Sequence, residues 1–151
     1  MSVAELQPGY EEVFTVTDYY DGPRKGIASF KGQPHFYDCI FDERKGDYSD
    51  LFRLTPVPQS VFQLAMEDWA IWRKWEQAYA NGKATIDMHP ALPEDRERHE
   101  QLKPILDSAL VSSERSMVQV GHFDPIGKAL GPTGVMRNLQ VRWSDAEVSS
   151  S

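Results

Sequence analysis

Asp68 is the side chain whose type and spacing most suggest chemistry: Leu64 and Trp72 lie four residues to either side and Trp75 stands one turn further on. On a helix of about 3.6 residues per turn, that spacing sets the carboxylate near the middle of an apolar face. A carboxylate kept from water is costly unless it is paired or hydrogen-bonded, so something must answer it. One reading is structural: a hydrogen bond to a Trp indole, to strand backbone or to an arginine such as Arg142. The other puts Asp68 at the bottom of an aromatic-walled pocket, where loss of water would raise its pKa and suit it to general acid–base work. Both require Asp68 to be largely buried with at least one hydrogen-bonding partner.

Trp69, Trp72 and Trp75 recur every third residue along one side of the same stretch. Such a row can stack sugars, bases or quaternary amines. The same side must also bury the helix, and core packing is the stronger expectation. Trp72 and Trp75 stand as binding candidates, and if one ring escapes the core, Trp75, near the helix end, is the best candidate.

The four histidines, His35, His89, His99 and His122, fall in a strand, a loop, a helix and a strand, and no two share metal-ligand spacing. No metal is expected. If their strands were neighbours, His35, Asp38 and His122 could form a composite site, which makes the two histidines catalytic candidates and Asp38 a binding candidate. His99 lies on an apolar stripe and reads as a hydrogen-bonded core histidine, while His89, before Pro90, is expected to be exposed. Cys39, between Tyr37 and Phe41 on one strand face, reads as a buried, inert thiol. The run Asp21-Gly22-Pro23-Arg24-Lys25 could grip an anion, with Asp21 and Arg24 as binding candidates. Turn chemistry favours an ordinary charged turn there.

No phosphate-binding loop, dinucleotide glycine fingerprint, nucleophile elbow, zinc-protease helix, calcium loop or redox cysteine pair can be read, and no cofactor is expected. The formal net charge of -7 opposes a phosphate backbone, so nucleic acid is not an expected partner, whereas a basic protein is. No run of about 18 apolar residues offers a membrane span, and the first residues do not resemble a signal peptide. With a single cysteine the chain is expected to work in a reducing compartment, the cytoplasm by default.

These residues must be carried by a fold, and 151 residues suit one domain. We expect loose tails over residues 1–11 and 146–151 and a single α+β domain over 12–145. Strands are expected at Val13 to Tyr20, Lys25 to Phe30, His35 to Phe41 and Leu51 to Thr55, separated by Gly, Pro and Asp turns. Both faces of the third are largely apolar, which calls for a curved sheet or one covered twice. A helix follows from Val61 to Ala80, opened by a Ser60–Gln63 capping box and closed by Asn81-Gly82. A second helix starts at Pro93, follows Leu92, His99, Leu102, Leu106 and Ala109, and must be kinked or interrupted by Pro104. Two further strands, Ser116 to Phe123 and Met136 to Trp143, close the sheet, and the Gly- and Pro-rich connection between them is a candidate lid.

The expected architecture is therefore an antiparallel sheet of about five or six strands with two central helices packed on it. An SH3-like or partly closed barrel with inserted helices is the alternative. The functional expectation is a non-catalytic binding or protein-interaction domain of regulatory or immunity type. The alternative is a small enzyme with a pocket between the Trp-rich helix and the sheet, using Asp68 or a histidine; its small-molecule ligand cannot be named.

Overall fold

The computed structural model describes residues 6–113, 115–126 and 139–146. The expected start of the last strand at Met136, the candidate lid from Gly127 onward, its first residue Pro125 ending a strand, and residues 147–151 of the C-terminal tail lie outside them. By its contacts the described chain falls into a strand unit (6–57, 112–126 and 139–146) and a helical unit (58–111).

The strand unit is one antiparallel sheet of seven strands: β1 (Glu11–Glu12), β2 (Asp18–Tyr19), β3 (Pro23–Phe30), β4 (Gln33–Asp42), β5 (Asp47–Pro56), β6 (Met117–Pro125) and β7 (Leu139–Asp145). Their order is β1-β7-β6-β5-β4-β3-β2, so the expected five or six strands become seven. The added strand comes from the N-terminal segment, which serves both edges of the sheet. Glu11 and Glu12 pair with Val141 and Gln140 of β7. Val13 then bridges to Ala28, the amides of Phe14 and Thr15 both donate to the Ile27 carbonyl, and Asp18 pairs with Lys25 of β3. The sheet is thereby curled into a half-barrel.

Apolar side chains that alternate along the strands gather on one face of the sheet. Ala28, Phe30, Tyr37, Cys39, Phe52, Leu54 and Val141 form its buried core, with Phe123 and Trp143 packed against them. Tyr37 is fully buried and meets Phe52 and Phe123 with ring centroids 5.9 and 5.2 Å away. Its phenol donates to the Thr15 carbonyl at 2.9 Å, and burial raises its pKa well above the usual phenol range.

Part of the stretch expected to be loose is engaged in the sheet. The Gln7 amide donates to Gln140 Oε1 at 2.9 Å, and the Tyr10 hydroxyl donates to Asp124. Glu11 accepts from Ser29 Oγ and from the amides of Lys31 and Gly32, gripping the β3–β4 turn at 2.8 to 3.0 Å.

The helical unit has two helices, α1 (Gln59–Ala80) and α2 (Arg96–Ala109), the second preceded by a 3-10 turn at Pro93–Asp95. No side chain caps the start of α1; Pro58 occupies the N-cap position, so the Ser60–Gln63 capping box does not form. The other end follows the sequence expectation. Gly82 adopts φ 73°, its amide bonds to the Tyr79 carbonyl and the Lys83 amide to that of Ala78. Those two bonds are a Schellman motif, which glycine favours because it carries no Cβ in the left-handed conformation. Pro104 lies inside α2, which continues to Ala109. The two helices run antiparallel, since Glu67 faces Arg98 and Lys74 faces Asp95.

Candidate functional site

The residues of α1 are not buried in the order its helical wheel suggests. Ala65 and Glu76 form one buried stripe and Ile71 and Trp75 another, while Asp68 and Trp72, in the middle of the apolar face, remain partly open. The Asp68 side chain is 23% exposed, so it is mostly covered without reaching the depth of Ala65 or Glu76. Its expected hydrogen-bond partner exists but is neither an indole, strand backbone nor Arg142: Asp68 Oδ1 lies 2.7 Å from His99 Nδ1 on α2. A protonated Nδ1 donates to the carboxylate, which fixes the tautomer and leaves Nε2 as the acceptor nitrogen. Glu67 and Arg98, one residue earlier on each helix, form a second rung, with two nitrogen–oxygen contacts of 2.6 and 2.8 Å. The guanidinium holds the Glu67 carboxyl below the usual carboxylate range.

His89 completes the group. Arg96 Nη2 donates to the Met88 and Ala91 carbonyls at 2.6 and 3.3 Å and so anchors the loop on both sides of the imidazole. The ring sits edge-on to Trp72 and Trp75, at centroid distances of 5.4 and 4.7 Å. His89 is exposed, as expected, yet desolvation against these rings lowers its pKa, and the nearby Arg96 guanidinium adds to the effect. Trp75 does not escape the core: it is 4% exposed, its indole donates to the Thr85 carbonyl at 3.1 Å and its ring stacks on Tyr79. Trp72, half-exposed and edge-on to Trp69, is the more accessible ring.

No family model, curated protein or solved structure matches this chain.

The strand-borne candidates do not converge. β5 separates β4 from β6, and the registers put His35 level with Pro56, whereas His122, beyond the Leu51–Val120 pair, lies toward the other end of the ladder. At about 3.3 Å per residue the two histidines are on the order of 20 Å apart. His35 is buried, with Nδ1 2.9 Å from the Gln33 carbonyl and its ring edge-on to Phe30. His122 is exposed and lies 3.0 Å from Asp124 Oδ2, the same oxygen that Tyr10 bonds. Asp38 lies level with Lys25 and Arg53 on the flanking strands and accepts from Ser112 Oγ at 3.2 Å. The composite His35, Asp38 and His122 site is not assembled.

Arg24 turns toward its own loop, with Nε 2.7 Å from the Tyr20 carbonyl and Nη2 2.8 Å from the Asp21 carbonyl. Its carbon also lies over the Tyr48 ring at 4.4 Å, and Asp21 takes φ 53° in the turn. Those contacts suit an ordinary charged turn better than an anion grip. Cys39 is buried and burial raises its pKa, in keeping with an inert thiol. Among the described residues, no three His, Cys, Asp or Glu side chains form a metal-binding group. The sequence reading missed Glu76, the buried carboxylate of α1, which pairs with Arg73 at 3.3 Å. Its signal was the spacing of four residues from Trp72, the same rule that drew attention to Asp68.

Two measurements check this geometry. Truncating Asp68 to alanine leaves a half-buried imidazole without its acceptor and should cost about 1 to 2 kcal/mol in urea unfolding. Glu67→Ala, in the exposed rung, should cost much less, and equal losses would show that the two rungs do not differ in burial as described. The second measurement concerns pH. His89 binds its proton less tightly folded than unfolded, so the unfolded chain takes up more protons and stability rises with pH. The contribution is present above about pH 6.5, the unfolded value, and is lost as the pH falls through the lowered folded value. His89→Gln should flatten the dependence of the urea midpoint between about pH 7.5 and 5. Identical slopes for wild type and variant would refute the assignment.

Proposed function

We propose that the chain is a non-catalytic binding protein that acts on a basic protein partner in a reducing compartment. The observation that carries this reading is the placement of its carboxylates. Of the 20 among the described residues only Glu76 is buried, so the net acidic charge is presented to solvent, where it can steer a basic partner into encounter. The groups suited to acid–base work are meanwhile used within the fold: Asp68 in a rung between helices, His35 on a turn carbonyl and His122 on Asp124. No helix among the described residues is long and apolar enough to cross a membrane. The test is capture from host extract at low and high salt, using wild type and a variant with Asp47 and Asp50 changed to lysine. A stoichiometric basic partner released by salt and lost with the variant is the expected result.

A second reading, a small enzyme, is favoured by one observation. Asp68 orients His99 while the half-exposed Trp72 and His89 stand on the same accessible strip of the helical unit, so the His99 Nε2 lone pair could serve as a general base. A ligand-shift melting screen followed by turnover assays tests it. Turnover lost in both Asp68→Asn and His99→Gln, with the fold intact, would replace the binding reading.

A further inference from the structure

At one end of the half-barrel the aromatic core continues out to the surface. Tyr48, on β5, packs against the buried core with its inner side and is half-exposed. Directly across the ladder stands Phe41 of β4, edge-on to Tyr48 at 5.3 Å and 48% exposed. Tyr20, from the turn between β2 and β3, lies 6.3 Å from Tyr48 and is 68% exposed. Aromatic rings are costly to leave in water, and a cluster continuous with the core is a recurrent feature of docking sites. The two segments that carry these rings also carry Asp21, Asp42, Glu43, Asp47 and Asp50, against Arg44 and Lys45 at the hairpin tip and Arg24 turned inward.

We infer that Tyr20, Phe41 and Tyr48 form the docking surface for a basic protein segment that bears an apolar anchor between lysines or arginines. This rests on the binding function proposed above and names its surface and the chemistry of its partner. Charge complementarity selects the occupant: a second copy would bring the same carboxylates against one another, and an anionic membrane would be repelled by them. The protein already displays the contact expected of a partner, since the Arg24 guanidinium lies over the Tyr48 ring at 4.4 Å. The faces of Tyr20 and Phe41 can take further cations in the same way, next to carboxylates that favour them.

The experiment is selection of a displayed library of random 12-residue peptides on the full chain, followed by binding of the enriched peptides to wild type and to the double variant Tyr20→Ser/Phe41→Ser. The expected result is enrichment in Lys and Arg around a Phe, Leu or Trp, with at least about a tenfold loss of affinity in the variant at unchanged melting temperature. Asp42→Asn/Asp47→Asn should weaken the same peptides and reduce the salt dependence. Basic peptides that bind the Tyr20→Ser/Phe41→Ser variant as tightly as wild type would overturn this surface and leave the proposed function standing. Enrichment without a basic bias, or no enrichment, would overturn both. Binding to phosphatidylserine vesicles that is lost in the same variant would replace the protein partner with a membrane.

Discussion

Gly26→Ala is expected to destabilise the protein by at least about 3 kcal/mol, a large share of the stability of an ordinary domain. Gly26 lies opposite Tyr37 in the ladder, and a Cβ built there would stand 2.1 Å from the Thr15 carbonyl oxygen and 2.6 Å from the Tyr37 hydroxyl. The first of those atoms is backbone that cannot swing aside. The second belongs to the hydrogen bond by which the core tyrosine holds the N-terminal segment on β3. One methyl group therefore pushes against the ladder and the closing segment at once. Urea unfolding monitored by Trp fluorescence measures the effect, with Gly32→Ala as the comparison: its Cβ would meet nothing within 4 Å, so it reports only the cost of alanine at φ 79°, which Gly26 does not bear. A loss at Gly26 no greater than at Gly32 would show that the close approach is absent in solution.

Trp75→Ala should cost about 3 to 5 kcal/mol, the range for removing a large aromatic side chain from a core. The ring is 4% exposed, stacks on Tyr79 at 5.1 Å and meets His89 at 4.7 Å, and its indole donates to the Thr85 carbonyl. Truncation therefore opens a cavity and also deprives that carbonyl of its donor. Trp72→Ala should cost distinctly less, because that ring is half-exposed and its loss is partly filled by water. Equal unfolding midpoints for the two variants would place both rings in the same environment and contradict the burial pattern of α1.

The strand and helix pattern was legible because it rests on local rules. Turns at Asp21-Gly22 and Lys31-Gly32 separate β-branched and aromatic runs, and both lie where the sequence marks them. Asn81-Gly82 ends α1 for the reason glycine ends helices. The N-terminal segment looks like one strand from Val13 because nothing local reveals that it crosses from β7 to β3; that depends on how far the sheet curls. The site was half-legible. The four-residue spacing put Asp68 on the correct side of its helix, but a wheel has no knowledge of which neighbours cover each stripe. It consequently passes over Glu76, which is buried, and favours Trp75 over Trp72 as the accessible ring. His99 could not be paired with Asp68 from sequence, since 31 residues separate them and only the antiparallel return of α2 brings them together.

The way the first strand is used has a consequence for self-association. With residues 11–19 lying along β7 at one end and β3 at the other, the segment covers part of each rim of the curled sheet among the described residues and shortens the row of amides and carbonyls left for another chain. A cut in the turn at Asp21-Gly22 would leave that segment held without a covalent link, by hydrogen bonds, the Glu11 clamp and the burial of Val13 and Val16. The remainder would then be a receptor for its own excised piece, able to accept the same piece from a neighbour, so nicked molecules would trade strands that the intact chain keeps tethered.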